Sequence, residues 1–276
     1  MLSYQHAYHA GCYADVIKHV VLTRILDYMV QKDKPLFYLE THAGRGIYDL
    51  QDKHTQKTGE AALGIELFWA NKQKLPKLFS SYIHAIQDIN QNLAMPLRYY
   101  PGSPTCAISL LRAIDRLYLC ELHPGEFRHL EQLSHRGNRV FADHTDGIKQ
   151  LTALLPPTER RGLIFIDPSY ELKTEYRTIP NAIKSAYQRF STGIYCLWYP
   201  IIDNKLHGQL VRGLTTIPTP NHLRIEFYLN TKQSSGMTGC GLWIINPPFT
   251  LKAELKAAGE LFKTMFSPGT SSYLVE

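Results

Sequence analysis

Seven short apolar runs, each stopping at a polar residue, constrain this chain more than any other feature. They are "LFYLE" (36–40), "LYLCEL" (117–122), "RVFA" (139–142), "GLIFID" (162–167), "GIYCLWY" (193–199), "LRIEFYL" (223–229) and "GLWIIN" (241–246). Most are near-continuously apolar, as strands buried on both faces must be. Helical patterns lie between many of them: "ALGIELFWANK" and "SPTCAISLLRAI" after the first run, "TIPNAIKSAYQRF" after the fourth. Strand alternating with helix predicts a parallel sheet flanked by helices. The last two runs are joined only by "NTKQSSGMTGC". That linker is too short and turn-rich for a helical crossover, so the pair reads as an antiparallel hairpin.

Five parallel strands plus a C-terminal antiparallel hairpin form the α/β sheet of a Rossmann-like class I methyltransferase. The 276 residues are 44% hydrophobic and 20% charged, an ordinary globular balance. A single domain over 1–276 is expected. From Glu40 to Glu121 is 81 positions, where a plain βαβ unit needs about 30. The excess, 50–98, reads as a helical insertion subdomain on the first crossover. Near the N-terminus, Val16, Val20, Val21, Ile25 and Met29 recur along one helical face, with Asp15 placed to cap it.

No apolar run approaches the length that spans a bilayer. The five cysteines, Cys12, Cys106, Cys120, Cys196 and Cys240, are scattered and odd in number, which fits buried thiols in a reducing compartment. A cytoplasmic location is expected. The net charge of +6 permits a phosphate-bearing partner without requiring one. The basic residues Arg160, Arg161, Lys173, Arg177, Lys184, Arg189, Lys205 and Arg212 are dispersed. No extra apolar helix demands a partner subunit, so a monomer is expected.

Candidate site residues cluster where the apolar runs end. In "LFYLETHAGRGIY", Gly44 and Gly46 permit a tight turn and close ligand approach after the first strand. His42 in that loop is a cofactor contact or a polar loop residue. Glu121 ends the second run, where an acidic side chain accepts hydrogen bonds from ribose hydroxyls. In "DHTDG" (143–147), Asp146 before Gly147 is an adenine contact or an N-cap, with Asp143 competing. Ser103 and Pro104 read as N-cap and first residue of a helix whose positive end can meet a carboxylate. His6, His9, Cys12 and His19 lie close in sequence but match no common zinc spacing, and no metal is expected. Tyr4, His6, Tyr8, His9 and Lys18 suit stacking on bases and contacting phosphate. The glycines of "SSGMTGCG" (234–241) read as hairpin turns and bulges.

Two tetrapeptides compete as the reactive centre: "DPSY" (167–170) and "NPPF" (246–249). Ligands bind outside the carboxyl ends of parallel strands, and Asp167 ends a parallel strand. Asn246 ends the antiparallel one and belongs at the opposite edge, about 17–20 Å away. The chemistry agrees. An exocyclic amine such as adenine N6 is a poor nucleophile because its lone pair is delocalised. Asp167 can accept one amino proton and the Pro168 carbonyl the other, while Tyr170 can stack on a base splayed from its helix.

These residues resemble a known family, the bacterial 23S ribosomal RNA adenine-N6 methyltransferases of the RlmJ type. The likeness lies in "MLSYQHAYHAGCYADVIKH", "THAGRGIY", "TGE" (58–60), "RYYPGSP", "ELHP", "DG" (146–147), "RRGLIFIDPSYE", "LWYP" and "INPP". It implies methylation of one adenine of 23S rRNA, position 2030 in ribosomal numbering. It implies S-adenosylmethionine contacts at His19, His42, Ser103, Glu121, Asp146 and Gly147, with Asp167 catalytic. Tyr4 and Lys18 match positions of substrate engagement. The family motif reads Asp-Pro-Pro-Tyr, so Ser169 is the clearest departure. The rivals are methylation of another planar amine, in DNA or on a protein glutamine, and an RNA-binding protein with a weakened active site.

Overall fold

The computed structural model describes residues 6–90, 97–134, 139–229, 236–266 and 271–276. Through the first half, these residues form α1 (Tyr13–Val30), β1 (Phe37–Glu40), β2 (Ile47–Asp49), α2 (Lys53–Thr58), α3 (Ile65–Ala70), α4 (Ser80–Ile89), β3 (Tyr99–Pro101), α5 (Ser103–Leu110), β4 (Arg116–Cys120) and α6 (Pro124–Ser134). There follow β5 (Val140–Asp143), α7 (Gly147–Ala153), β6 (Gly162–Ile166), α8 (Glu175–Arg189), β7 (Ile194–Ile201), α9 (Asn204–Thr215), β8 (His222–Leu229), β9 (Gly239–Ile245), α10 (Leu251–Phe266) and β10 (Ser271–Val275).

The main sheet runs β10-β8-β9-β7-β6-β1-β4-β5. The five strands from β7 to β5 are mutually parallel. The hairpin β8–β9 is antiparallel and joins the sheet through β9 on β7. The expected α/β class and its terminal hairpin are therefore present. Two features went unforeseen. The strand β10 pairs antiparallel with β8, and β2 pairs with β3 in a separate two-stranded ribbon. Both escape a pattern search because three to five residues with polar members carry too little periodicity.

Successive residues of the central strands feed two different cores. Tyr38, Leu163, Phe165 and Cys196 face the layer of α1, α4, α5 and α10. Phe37, Leu39, Ile164, Ile166 and Leu197 face α7, α8 and α9. Two covered faces explain why these strands read as unbroken apolar runs. Helix α1 packs against α4, α5 and α10, and 13 of its 18 residues are buried. That burial encloses Asp15, Lys18 and His19 along with the apolar residues. The N-cap of α1 is Cys12, with no side-chain bond. Asp15 instead reaches back from the first turn to the Gly11 N–H at 3.0 Å, correcting its expected capping position. Side chains of 50–98, among them Ile65, Phe68, Phe79 and Tyr82, belong to the same core as α1.

Among the described residues, no helix is long and apolar enough to cross a membrane.

Candidate active site

The parallel register fixes which residues share an edge. Glu40 pairs with Leu119 and Phe165, and Cys120 pairs with Asp143. The carboxyl ends of β1, β4, β5 and β6 thus bring Glu40, Glu121, Asp146 and Asp167 to one rim. Asn246 lies at the other end of the sheet. Its amide donates to the Ser191 and Gly193 carbonyls at 2.8 Å each, just before β7 begins. The register of β9 on β7, with Ile245 opposite Tyr195, leaves it no alternative.

Asp167 meets a residue 149 positions earlier. Its Oδ2 accepts from Lys18 Nζ at 2.6 Å, and no hydrogen bond from the described residues reaches Oδ1. The same ammonium sits 2.8 Å from Asp15 Oδ1 and 5.5 Å from the Trp198 ring centroid. Burial by itself lowers the pKa of Lys18, but the charges of Asp15 and Asp167 outweigh it and hold the ammonium well above its ordinary range. Burial likewise opposes ionisation of Asp15, and the charges of His6 and Lys18 overcome that to hold its carboxyl well below the usual range. The Pro168 carbonyl accepts no hydrogen bond from the described residues. Tyr170 differs from expectation. It is only 7% exposed, packs on Tyr176 at 4.6 Å and takes a left-handed φ of 54°. Its hydroxyl donates to the Trp198 carbonyl at 3.3 Å. The ring props the loop and offers no free stacking face here.

The loop after β1 turns through Gly44 and Gly46, at φ 62° and 81°. Glu121 closes on it, accepting from Gly44 N at 2.8 Å and His123 N at 2.6 Å. Burial raises the Glu121 pKa, offset by these two N–H donors. Gly147 opens α7 against the end of β1, where an added Cβ would lie 2.1 Å from the Thr41 carbonyl oxygen. Asp146 caps α7 through Ile148 N and Lys149 N. Its rival Asp143 ends β5 with Oδ2 held by the Tyr118 hydroxyl at 2.9 Å. His42 bonds Thr41 Oγ1 at 2.7 Å, and burial lowers its pKa to about 4.

Ser103 is not the N-cap of α5. Gly102 holds that position, with no side-chain bond. The Ser103 hydroxyl donates instead to Glu40, a buried carboxyl that also accepts from Tyr38 Oη at 2.9 Å. His19 is enclosed, at 1% exposure. Tyr82 Oη lies 3.0 Å from Tyr100 Oη, and Tyr100 Oη shares a hydrogen bond with His19 Nδ1 at 2.8 Å. Burial keeps the ring neutral by lowering its pKa to about 3, and the tautomer in which Nδ1 accepts from Tyr100 puts the ring proton on Nε2. The Nε2 atom is buried with no partner among the described residues. A buried unsatisfied donor calls for an explanation, and a ligand carboxylate supplies one. The donor set, the open glycine loop and the ring of strand-end carboxylates fit a nucleoside cofactor carrying an amino acid.

Tyr4 lies outside the described residues. His6 bonds Asp15 at 2.8 Å, and His9 bonds Glu60 of "TGE" at 2.9 Å. Among the described residues, no three His, Cys, Asp or Glu side chains converge as metal ligands. Sequence reading missed Glu40, Tyr100 and Trp198 as members of this site. Glu40 carried the signal used for Glu121, a carboxylate ending an apolar run; Tyr100 and Trp198 lay inside the resemblance motifs "RYYPGSP" and "LWYP" without a role assigned to them.

A family model described as "Ribosomal RNA large subunit methyltransferase D, RlmJ" matches residues 33–276. The ribosomal RNA large subunit methyltransferase J of Escherichia coli (strain K12) is 42% identical over 256 residues, covering 92% of this chain and 90% of that protein. Its counterpart from Haemophilus influenzae is 41% identical over 278 residues, covering 100% and 98%. A crystal structure of a Legionella pneumophila protein matches with a TM-score of 0.92 and 55% identity, covering 97% of this chain and 98% of that one.

Proposed function

The chain belongs to the RlmJ family of ribosomal RNA large subunit methyltransferases, and from that membership we propose that it methylates N6 of a single adenine of 23S rRNA, with S-adenosylmethionine as methyl donor. The observation that carries the reading is the Lys18–Asp167 contact at the carboxyl edge, beside a Pro168 carbonyl that accepts no backbone hydrogen bond among the described residues. S-adenosylmethionine supplies the electrophilic methyl group. The chain's residues prepare the nucleophile. Asp167 Oδ1 and the Pro168 carbonyl each accept a hydrogen bond from one N6–H, drawing the nitrogen toward tetrahedral geometry and freeing its lone pair; once the methyl has moved, one N6 proton is lost to solvent. Lys18 fixes the Asp167 rotamer and offsets its charge. His19 and Ser103 would hold the amino-acid end of the cofactor, Glu121 the ribose, and Asp146, Gly147 and His42 the adenosine. Tyr4 and Lys18 engage the substrate. Trp198 stands beside Lys18 where Tyr170 is turned inward. The reading carries with it a ribosomal RNA partner, action as a monomer and a cytoplasmic site of work.

The test is incubation with tritiated S-adenosylmethionine and, separately, deproteinised 23S rRNA, ribosomal subunits, duplex DNA and release-factor protein. Label is expected in RNA, and its absence there sinks the proposal. Asp167→Ala should abolish labelling in a folded protein, and Asn246→Ala should retain it. Equal loss from folded Asn246→Ala would overturn the assignment of the edge.

A further inference from the structure

Glu40 takes no part in the steps above, yet it lies at the centre of the rim. Its side chain is fully enclosed, at 0% exposure. It ends β1 opposite Phe165, two residues before Asp167. Among the described residues its two oxygens face only neutral hydroxyls, Tyr38 Oη and Ser103 Oγ. The Lys18 ammonium is committed to Asp15 and Asp167, so among the described residues no cation pairs directly with Glu40. An enclosed carboxyl without a cation resists ionisation. Burial, reinforced by the charge of Asp167, pushes its pKa up to about 8 against the opposing hydroxyls and Lys18. The groups facing it do not share this poise. Tyr38 on β1, Cys106 on α5 and Cys120 on β4 stay neutral because burial raises their pKa values. His19 and His42 stay neutral because burial lowers theirs. On α1, Asp15 and Lys18 are firmly charged.

We propose that Glu40 is the counter-ion of the cationic cofactor, protonated while the site is empty and ionised when the positive charge arrives, so that loading releases a proton. The O–H bond of the carboxyl breaks and its proton passes to solvent. In the empty site the carboxyl O–H donates to one of the two hydroxyls facing it; on ionisation that hydroxyl turns, so that Ser103 and Tyr38 both donate to the new carboxylate, where such bonds are stronger than to the acid. This rests on the S-adenosylmethionine reading above. Cofactor affinity then rises with pH below the empty-state pKa, by up to about tenfold per pH unit.

The experiment is isothermal titration of the whole chain with S-adenosylmethionine at pH 7, in buffers of different ionisation enthalpy. Wild type should release close to one proton per site more than Glu40→Gln, whose amide keeps a hydrogen-bonding shape but cannot ionise. The cofactor's own amino group contributes equally to both proteins. Infrared difference spectra of wild type should lose a protonated-carboxyl band on loading, and Glu40→Gln should lose none. Binding without excess proton release, or with that band unchanged, overturns the proposal. Should Glu40→Gln not fold, the wild-type proton count and spectrum decide alone. A wild type that binds no S-adenosylmethionine sinks the cofactor reading and this proposal with it.

Discussion

Lys18→Met removes the ammonium from between Asp15 and Asp167 while keeping most of the volume. The three side chains are 4%, 2% and 14% exposed, so solvent screens the loss poorly. Breaking a buried pair by deleting one partner costs about 3–5 kcal/mol. Asp15 retains the His6 ring and the Gly11 N–H, which places this case near the lower end, about 3 kcal/mol. For a chain of this size that corresponds to a fall in Tm of about 6–12 °C. Asp167→Asn should cost less, about 1 kcal/mol, because Lys18 keeps Asp15 and the amide oxygen still accepts. Combined with Lys18→Met it should restore stability, since the uncompensated charge is gone, giving a coupling of about 2 kcal/mol. Urea denaturation of the four proteins at pH 7 measures it. The pH dependence has a fixed sign. Lys18 is raised above its ordinary 10.5, so its contribution is full below that pH and is lost as pH climbs through the folded value. Asp15 is depressed below its ordinary 3.8, so its contribution is present above that pH and is lost as pH falls through the folded value. The deficit of Lys18→Met should therefore be flat from roughly pH 5 to 9 and shrink in acid. Additivity of the two substitutions within about 0.5 kcal/mol would refute the bridge.

Two further outcomes follow from the same structure. Gly147→Ala places a methyl 2.1 Å from the Thr41 carbonyl oxygen, so α7 must withdraw from β1; cofactor affinity by calorimetry should fall at least tenfold, and wild-type binding would show that the close approach is dispensable. Glu226 is fully buried and accepts from His207, Arg224, Tyr199 and Tyr228, donors that overcome burial and bring its pKa down to about 2 from 4.5. A depressed carboxylate stabilises above its unfolded pKa, so wild type should lose roughly 3 kcal/mol as pH falls from about 4.5 through about 2. Glu226→Gln should be less stable at pH 6 and lose less over that window; parallel pH profiles in urea melts would contradict this.

By itself the sequence determined the strands of the seven apolar runs, their directions and hence the shared carboxyl edge, while β2, β3 and β10 escaped it. Continuous apolar runs such as "GLIFI" specify strands covered on both faces, and linker length separates a crossover from a hairpin; both are local signals. From them it followed that Asp167 stands with Glu121 and the glycine loop, and that Asn246 does not. Partnership across long stretches of chain was not legible. Lys18 reaches Asp167 over 149 residues, His19 reaches Tyr100 over 81, and Ser103 reaches Glu40 over 63. A hydroxyl or ammonium satisfies many acceptors equally well, and only packing selects one. Tertiary structure alone therefore decided that Ser103 serves a buried carboxyl and no helix cap, that Tyr170 faces inward, and that Glu40 is enclosed without a cation. Burial sets the charge state of each such group, and burial is a property of the whole fold.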